Sequence, residues 1–274
     1  MPLLTCLTPV RVGPIFSPMG ISSFFKDRRR RAILKNRSID DSSWTWVLNQ
    51  HPILRRLGPE NTRALRGMAA VFAAEKTFTP LRDLALTSDM VLSISVQAVL
   101  PVLTLGLDWL DGFKTIFIAP HSYRHLRRER NGMVVSEFVE QLGGEVTPYG
   151  PIVLSWRDVE ASGWGNGYNV VIHEIAHKLD LSNQKMDGCP FLGDYLDPAR
   201  WQRVFSSAYR DLTRRLQGGA PSLEPYAAES PVEFFAVACE TFFEQPSRLA
   251  HFYPDVYGEL SVFFKQDPLA HISS

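Results

Sequence analysis

The segment NVVIHEIAHKLD, residues 169 to 180, constrains the possible fold and chemistry more than any other part of this sequence. An α-helix turns by about 100° per residue, so His173 and His177 lie on one face and their imidazoles can reach one metal ion. Glu174 lies one step round the helix, where its carboxylate can take a proton from a water molecule on the metal. The alternative is an amphipathic helix whose two histidines are hydrogen-bonded within the core. The pattern favours a zinc site with Glu174 as general base, and Asp180 on the same face could orient an imidazole.

A second pair of histidines provides an internal comparison. The segment HSYRH, residues 121 to 125, has the same spacing but carries serine where the base should stand. It directly follows a strand-like run and leads into closely spaced cationic residues, which repel a divalent ion. We therefore predict a surface loop there.

A catalytic zinc site needs a third protein ligand. The extended pattern HExxHxxGxxH is excluded because Asp180 and Asn183 occupy the positions of its glycine and final histidine. The segment YAAESPVEFFAVACETFFEQ, residues 226 to 245, carries glutamates at helical spacing among apolar residues, and Glu233 is the preferred ligand. Ser230 and Glu233 also fit a capping box, which gives Glu233 a structural explanation. Spacing alone leaves other acids open as the third ligand, namely Glu240, Asp187, Asp194 and Glu229.

Composition limits the partners and the compartment. The chain has 29 basic and 29 acidic residues in 274, so no overall charge favours nucleic acid. The three cysteines are odd in number and form no CxxC pair, which favours a reducing cytoplasm. No signal-peptide pattern opens the chain, and the most apolar window, residues 90 to 110, is interrupted by polar residues and Pro101. We therefore expect a cytoplasmic protein without a transmembrane segment.

The chain divides into a basic extension and one domain. Residues 1–43 lack periodicity and contain KDRRRRAILKNR, so we expect a flexible, solvated extension. The alternative is that the basic segment binds weakly to a membrane surface or to an acidic partner. Residues 44–268 are expected to form a single domain, with a helical part at 44–112 and a metal-binding part at 113–268.

Short apolar runs at 114–119 and 150–156 predict strands, and longer periodic segments predict helices. The expected helices cover about 58–76, the region after Ser88, 166–181, 197–217, 230–244 and 255–265. The fold class is therefore α+β, helix-rich with a small mixed sheet and an HExxH helix.

Four segments in the same order resemble the Mlc titration factor A family: LGLDWLDGF, GPIVLSW, VIHEIAHKLD and YAAESPVEFFAVACETFF. The resemblance covers about residues 57–268 and leaves the basic extension outside it. This family is similar in its catalytic part to the anthrax lethal factor peptidase, which implies a zincin-like metallopeptidase domain.

The resemblance implies roles for five residues. His173, His177 and Glu233 would bind one Zn²⁺ per chain, Glu174 would be the general base, and Tyr226 would face the metal. The implied activity is hydrolysis of peptide or amino-acyl amides, as in an aminopeptidase of the gluzincin type, although Tyr226 could instead be a packed core aromatic. The family also implies binding to a transcriptional repressor of the Mlc type. The alternative function is a non-catalytic protein that titrates a repressor and keeps a structural or vestigial zinc site.

Overall fold

The computed structural model describes residues 21–121 and 150–271 of the chain. The α-helices in these residues are α1 (Ile21–Asn36), α2 (Asp41–Gln50), α3 (Pro59–Glu75), α4 (Ser88–Val99), α5 (Trp156–Glu160), α6 (Val170–Asp180), α7 (Pro198–Gln217), α8 (Pro231–Glu244), α9 (Pro246–Phe252) and α10 (Pro254–Phe264). The strands are β1 (Thr77–Pro80), β2 (Thr115–Ala119) and β3 (Ile152–Ser155). Helices dominate and the sheet is small, which confirms the helix-rich α+β class.

The sheet is parallel in the described residues, so the expectation of a mixed sheet was wrong. The strand order is β1-β2-β3, and both pairs run parallel, with Phe78 opposite Ile116 and Ile118 opposite Leu154. Parallel neighbours need a long crossover connection, and the chain between β1 and β2 provides one that contains α4. The strand β1, with sequence TFTP, was not predicted because it has no apolar run.

Helix starts follow the sequence signals closely. Proline occupies the first position of α3, α7 and α8, where a missing N–H costs no hydrogen bond. Asp197 caps α7 by accepting a hydrogen bond from the Ala199 N–H at 2.9 Å. Ser230 caps α8 in the same way, with its hydroxyl 3.2 Å from the Glu233 nitrogen. The helices α7 and α8 therefore begin directly after their capping residues, and α3 begins at a proline without a side-chain cap.

The first half of the apolar window at residues 90 to 110 lies in α4, and the second half forms a turn and the 3₁₀ helix Leu107–Leu110. The helix α4 has 12 residues, ends before Pro101 and is buried along nearly its whole length. Across the described residues, every helix is too short or too polar to span a bilayer.

The basic segment is more ordered than the expected flexible tail. It forms α1, which packs against α3. The Arg30 guanidinium donates from Nε and Nη2 to the Glu75 carboxylate, both at 3.1 Å, and Lys26 pairs with Asp108 and Asp111. These acids lie 45 or more positions away in the chain, so local sequence could not reveal the ion pairs that hold the helix. Residues 1–20 of the extension, and HSYRH beyond His121, lie outside the described residues.

Aromatic packing in the core holds α8 in place against α6. Large aromatic side chains on α8 and on the neighbouring helices are almost fully buried: Phe234, Phe235 and Phe242 on α8, Trp201 and Phe205 on α7, and Phe263 on α10. Burial of one such side chain stabilises a fold by about 1.5–3 kcal/mol. The contact between α6 and α8 therefore rests on a rigid scaffold, which is what a site built from both helices requires.

Candidate metal centre

The helix α6 begins with a capped and buried first turn. The Asn169 side-chain oxygen accepts a hydrogen bond from the Ile172 N–H at 3.0 Å. The helix starts at Val170 rather than near residue 166 because Gly163, Gly165 and Gly167 all have positive φ and form a tight loop before it. This cap holds His173, one turn into the helix, in a fixed orientation.

Three side chains from α6 and α8 converge on one point. The Nε2 atoms of His173 and His177 lie 3.0 Å apart. Glu233 Oε2 lies 3.1 Å from the first nitrogen and 3.5 Å from the second. Among the described residues, these three form the group of His, Cys, Asp and Glu side chains whose atoms could hold a metal ion.

The spacing of these atoms fits a tetrahedral ion. Ligand atoms about 2.0–2.1 Å from a tetrahedral zinc lie about 3.3–3.4 Å from one another, close to the three observed distances. Glu233 Oε2 and His177 Nδ1 are buried without a hydrogen-bond partner among the described residues. An unpartnered carboxylate oxygen beside two imidazole nitrogens is unfavourable unless a cation joins them. The donor set therefore fits a divalent metal.

The charge state of Glu233 suits this arrangement. Burial acts to raise its pKa, but the facing imidazoles of His173 and His177 outweigh burial and hold the pKa well below its usual value. The carboxylate is therefore ionised and available as a ligand at neutral pH.

A second carboxylate orients the first histidine. Glu240 Oε1 lies 2.6 Å from His173 Nδ1, and its other oxygen accepts the Asn169 backbone N–H at 2.6 Å. A carboxylate only accepts, so Nδ1 of His173 carries a proton, and Nε2, which faces the convergence point, is the nitrogen that a metal ion would bind. Glu240 thus sets the tautomer that a metal ligand needs.

The expectation that Asp180 orients an imidazole is not supported by its contacts. Its Oδ2 atom accepts the Gly188 N–H at 2.9 Å, and no imidazole hydrogen bond to it occurs among the described residues. Burial raises the pKa of Asp180 to about 8. Asp180 instead secures the loop that follows α6.

The other candidate acids do not join the three-residue group. Glu240 faces the far nitrogen of His173, and the group within the described residues contains none of Asp187, Asp194 or Glu229. Asp187 accepts the Cys189 N–H at 3.1 Å, and Glu229 is exposed. Glu233 is therefore the acid that the geometry favours.

The two residues expected to act on substrate lie beside this group. Glu174 follows His173 on α6 and is partly exposed. Tyr226 lies in the 3₁₀ turn Pro225–Ala228 before α8, with its ring centre 6.0 Å from that of His173. Tyr226 packs partly against the core, so its aromatic packing and its position near His173 coexist.

A buried polar network behind the site gave no sequence signal. Glu244 accepts hydrogen bonds from the Gly163 and Gly165 N–H groups at 2.9 and 2.7 Å, and from the Asn169 side chain at 2.8 Å. The same Asn169 side chain donates to Gln97 on α4 at 2.9 Å. Burial raises the pKa of Glu244, and these donors oppose the rise. The network ties the glycine loop, α4 and α8 to the start of α6.

Two histidines one helical turn apart, an adjacent glutamate and a glutamate from a second helix define a candidate metal centre of the metallopeptidase class. The chain belongs to the glucose-regulated metallo-peptidase M90 family, whose sequence profile matches residues 25–265. The match includes KDRRRRAILKNR, residues 26 to 37, so the expectation that the basic segment lies outside the family was wrong.

Relatives agree with this family. The Mlc titration factor A of Pectobacterium atrosepticum is 35% identical over 237 residues, covering 81% of this chain and 86% of that protein. The Mlc titration factor A of Escherichia coli O7:K1 is 34% identical over 227 residues, covering 81% and 85%. An uncharacterised protein of Synechocystis is 32% identical over 232 residues, covering 82% and 84%. The resemblance predicted from four sequence segments is therefore confirmed.

Proposed function

We propose that this chain is a zinc-dependent peptidase with a zincin-like domain of the gluzincin type, acting on peptide or amino-acyl amide bonds. His173, His177 and Glu233 would hold one zinc ion. The observation that carries the proposal is the convergence of these three side chains, with ligand atoms 3.0, 3.1 and 3.5 Å apart. Membership in a metallopeptidase family supports it.

The residues of the site divide the chemistry between them. A zinc ion in such a site lowers the pKa of a water molecule to about 7 and polarises a carbonyl group. Glu174 would accept the proton of the attacking water and pass it to the leaving amine. Glu240 would keep His173 in its ligating tautomer throughout, because its carboxylate accepts the hydrogen bond of the Nδ1 proton, with Oε1 2.6 Å from Nδ1.

Tyr226 would act on the carbonyl oxygen. Negative charge collects on that oxygen as the carbonyl carbon becomes tetrahedral, and a phenol donor stabilises it. Loss of one such donor typically lowers kcat about 100-fold or more. Tyr226→Phe keeps the aromatic ring that packs against the core and removes only the hydroxyl. A fall in kcat without a fall in stability would therefore separate catalysis from packing.

The test of catalysis is Glu174→Gln, assayed with short peptides and amino-acyl anilides after zinc loading. We expect wild-type zinc content and hydrolysis reduced to background. Glu229→Gln is the matched control, because this exposed glutamate lies near the site in sequence and outside the three-residue group. Equal hydrolysis by wild type and Glu174→Gln would reject the proposal.

The names of the relatives motivate a second role, binding a transcriptional repressor of the Mlc type in the cytoplasm. Several relatives are named Mlc titration factor A. Direct titration of purified repressor with the wild type and with Glu174→Gln tests this role separately from catalysis. Repressor binding by both proteins, with hydrolysis by neither, would favour the non-catalytic alternative in which the zinc site is structural or vestigial.

A further inference from the structure

Within the described residues, the ion pairs that join the helix α1 to the protein body lie on one of its faces. Lys26 and Arg30, four residues apart, pair with Asp108, Asp111 and Glu75, and the side chain of Ile33 packs against the core. These three α1 residues follow the i, i+4, i+7 spacing of a single helix face. The opposite face is therefore turned away from the body.

That opposite face carries a line of cations with an aromatic residue at its start. Phe24, Arg28, Arg31 and Lys35 follow the spacing i, i+4, i+7, i+11, and all four are exposed. We call these four residues the outward stripe. Beside the stripe lie further exposed residues of α1, namely Phe25, Arg29 and Leu34.

The cations of the outward stripe have no partner acid in the described part of the chain. The ion pairs of α1 there all involve Lys26 or Arg30. Like charges three and four residues apart on a helix repel one another. The stripe therefore gains from contact with an external anionic surface, while the carboxylates on the body neutralise only the inner face.

The apolar residues indicate which anionic surface fits. Phe24 and Phe25 are 60% and 59% exposed, whereas Leu34, although 47% exposed, has its side chain close to Gly67 of α3. A phosphate backbone of nucleic acid offers such side chains no apolar environment along the line of charges, whereas the boundary between lipid headgroups and acyl chains accepts both. The three cations of the stripe and the neighbouring Arg29 make four exposed cations on α1, and clusters of this size on a helix are typical of proteins that bind anionic lipids.

We propose that the outward stripe of α1 binds the surface of an anionic lipid bilayer, with the Phe24 and Phe25 rings entering the interfacial layer. The cations would pair with lipid phosphates, and the ion pairs of Lys26 and Arg30 would transmit the attachment to the protein body. This surface is separate from the candidate metal centre, so the proposal does not depend on catalysis.

The test is co-sedimentation of the full chain with vesicles at physiological ionic strength. We expect binding to vesicles that contain phosphatidylglycerol and little binding to pure phosphatidylcholine. Near such a surface each cation changes binding about fivefold, so the combined variant Arg28→Gln, Arg31→Gln and Lys35→Gln should bind about 100-fold more weakly. Phe24→Ser should weaken binding several-fold while leaving its dependence on salt unchanged.

The matched control removes three exposed cations from α7, by Arg203→Gln, Arg210→Gln and Arg214→Gln. It has the same net charge as the stripe variant and should bind vesicles like the wild type. Lys26 and Arg30 are unchanged in both variants, and the pairs that the control loses, Arg203 with Asp197 and Arg214 with Asp211, are exposed and contribute little, so circular dichroism and Tm should be close to those of the wild type.

Three outcomes would overturn the proposal: no binding of the wild type to anionic vesicles, equal losses in the stripe and control variants, or equal binding to neutral and anionic vesicles. Duplex DNA at the same salt provides the remaining comparison. Binding to DNA that requires the stripe, without vesicle binding, would assign the surface to nucleic acid instead.

Discussion

Glu240→Gln tests how the candidate metal centre is kept in its ligating form. The wild-type carboxylate accepts two hydrogen bonds, from His173 and from the Asn169 N–H, each at 2.6 Å, in a site where the side chain is 3% exposed. Glutamine offers one oxygen and one NH₂ group, so one of the two donors must lose its acceptor and face another N–H. A buried donor without a partner costs about 1–3 kcal/mol of stability.

The substitution should also weaken metal binding, because Glu240 orients a ligating imidazole. Removing the carboxylate partner of a ligating histidine typically weakens metal binding about 10–100-fold. We therefore expect the Kd for zinc, measured by competition with a chromophoric chelator, to rise by that factor. The unfolding free energy of the metal-free protein should fall by about 1–3 kcal/mol.

Glu244→Gln is the matched control for this prediction. Glu244 lies one turn further along α8, is fully buried and accepts three hydrogen bonds, of which none comes from a histidine in the described part of the chain. Its substitution should cost similar stability while changing the zinc Kd only a few-fold. The proposed role of Glu240 in orienting His173 would be contradicted if Glu240→Gln bound zinc as tightly as the wild type, or if both variants lost zinc affinity equally.

Other predictions concern the buried surroundings and the metal. Burial lowers the pKa of His51 from 6.5 to about 4. Between these pH values unfolded His51 binds a proton that folded His51 does not, so His51 alone lowers stability by about 3 kcal/mol from pH 6.5 to pH 4, while Asp180, with its pKa raised to about 8, acts in the opposite direction. The difference in stability between wild type and His51→Gln in urea titrations should therefore change by about 3 kcal/mol over this range, and a constant difference would contradict the assignment. Gly163→Ala, with φ +87° and an added Cβ 2.5 Å from His51, should cost more than 1 kcal/mol, whereas Gly58→Ala, with open space, should cost less. Denaturant midpoints compare the two, and equal midpoints would count against the packing. Zinc at 100 times its Kd stabilises the folded chain by about 2.7 kcal/mol, so chelation should lower Tm by about 5 °C, and His177→Ala should show no such shift. A full shift in that variant would point to a different zinc site.

Local signals were sufficient for the elements that carry the candidate site. The spacing of His173 and His177 predicted their shared helix face, and proline after a capping residue predicted the starts of α7 and α8. Glu233 was preferred among several acids, and the structure brings it to the two histidines. These features depend on residues close together in the chain, or on one contact between two helices.

Long-range contacts explain what the sequence could not provide. The helix α1 is held by Asp108, Asp111 and Glu75, so its basic residues resembled a solvated tail when considered alone. Asp180 has the right spacing to orient a histidine, but it turns to the Gly188 N–H in the next loop. The division of residues 44–268 into a helical part and a metal-binding part stays a prediction.

The most direct measurement is anomalous X-ray scattering at the zinc absorption edge from crystals of the zinc-loaded wild-type chain. We expect one peak about 2.0–2.2 Å from His173 Nε2, His177 Nε2 and a Glu233 carboxylate oxygen. A peak bound by other residues, or a zinc-loaded crystal in which Glu233 is not a ligand, would contradict it.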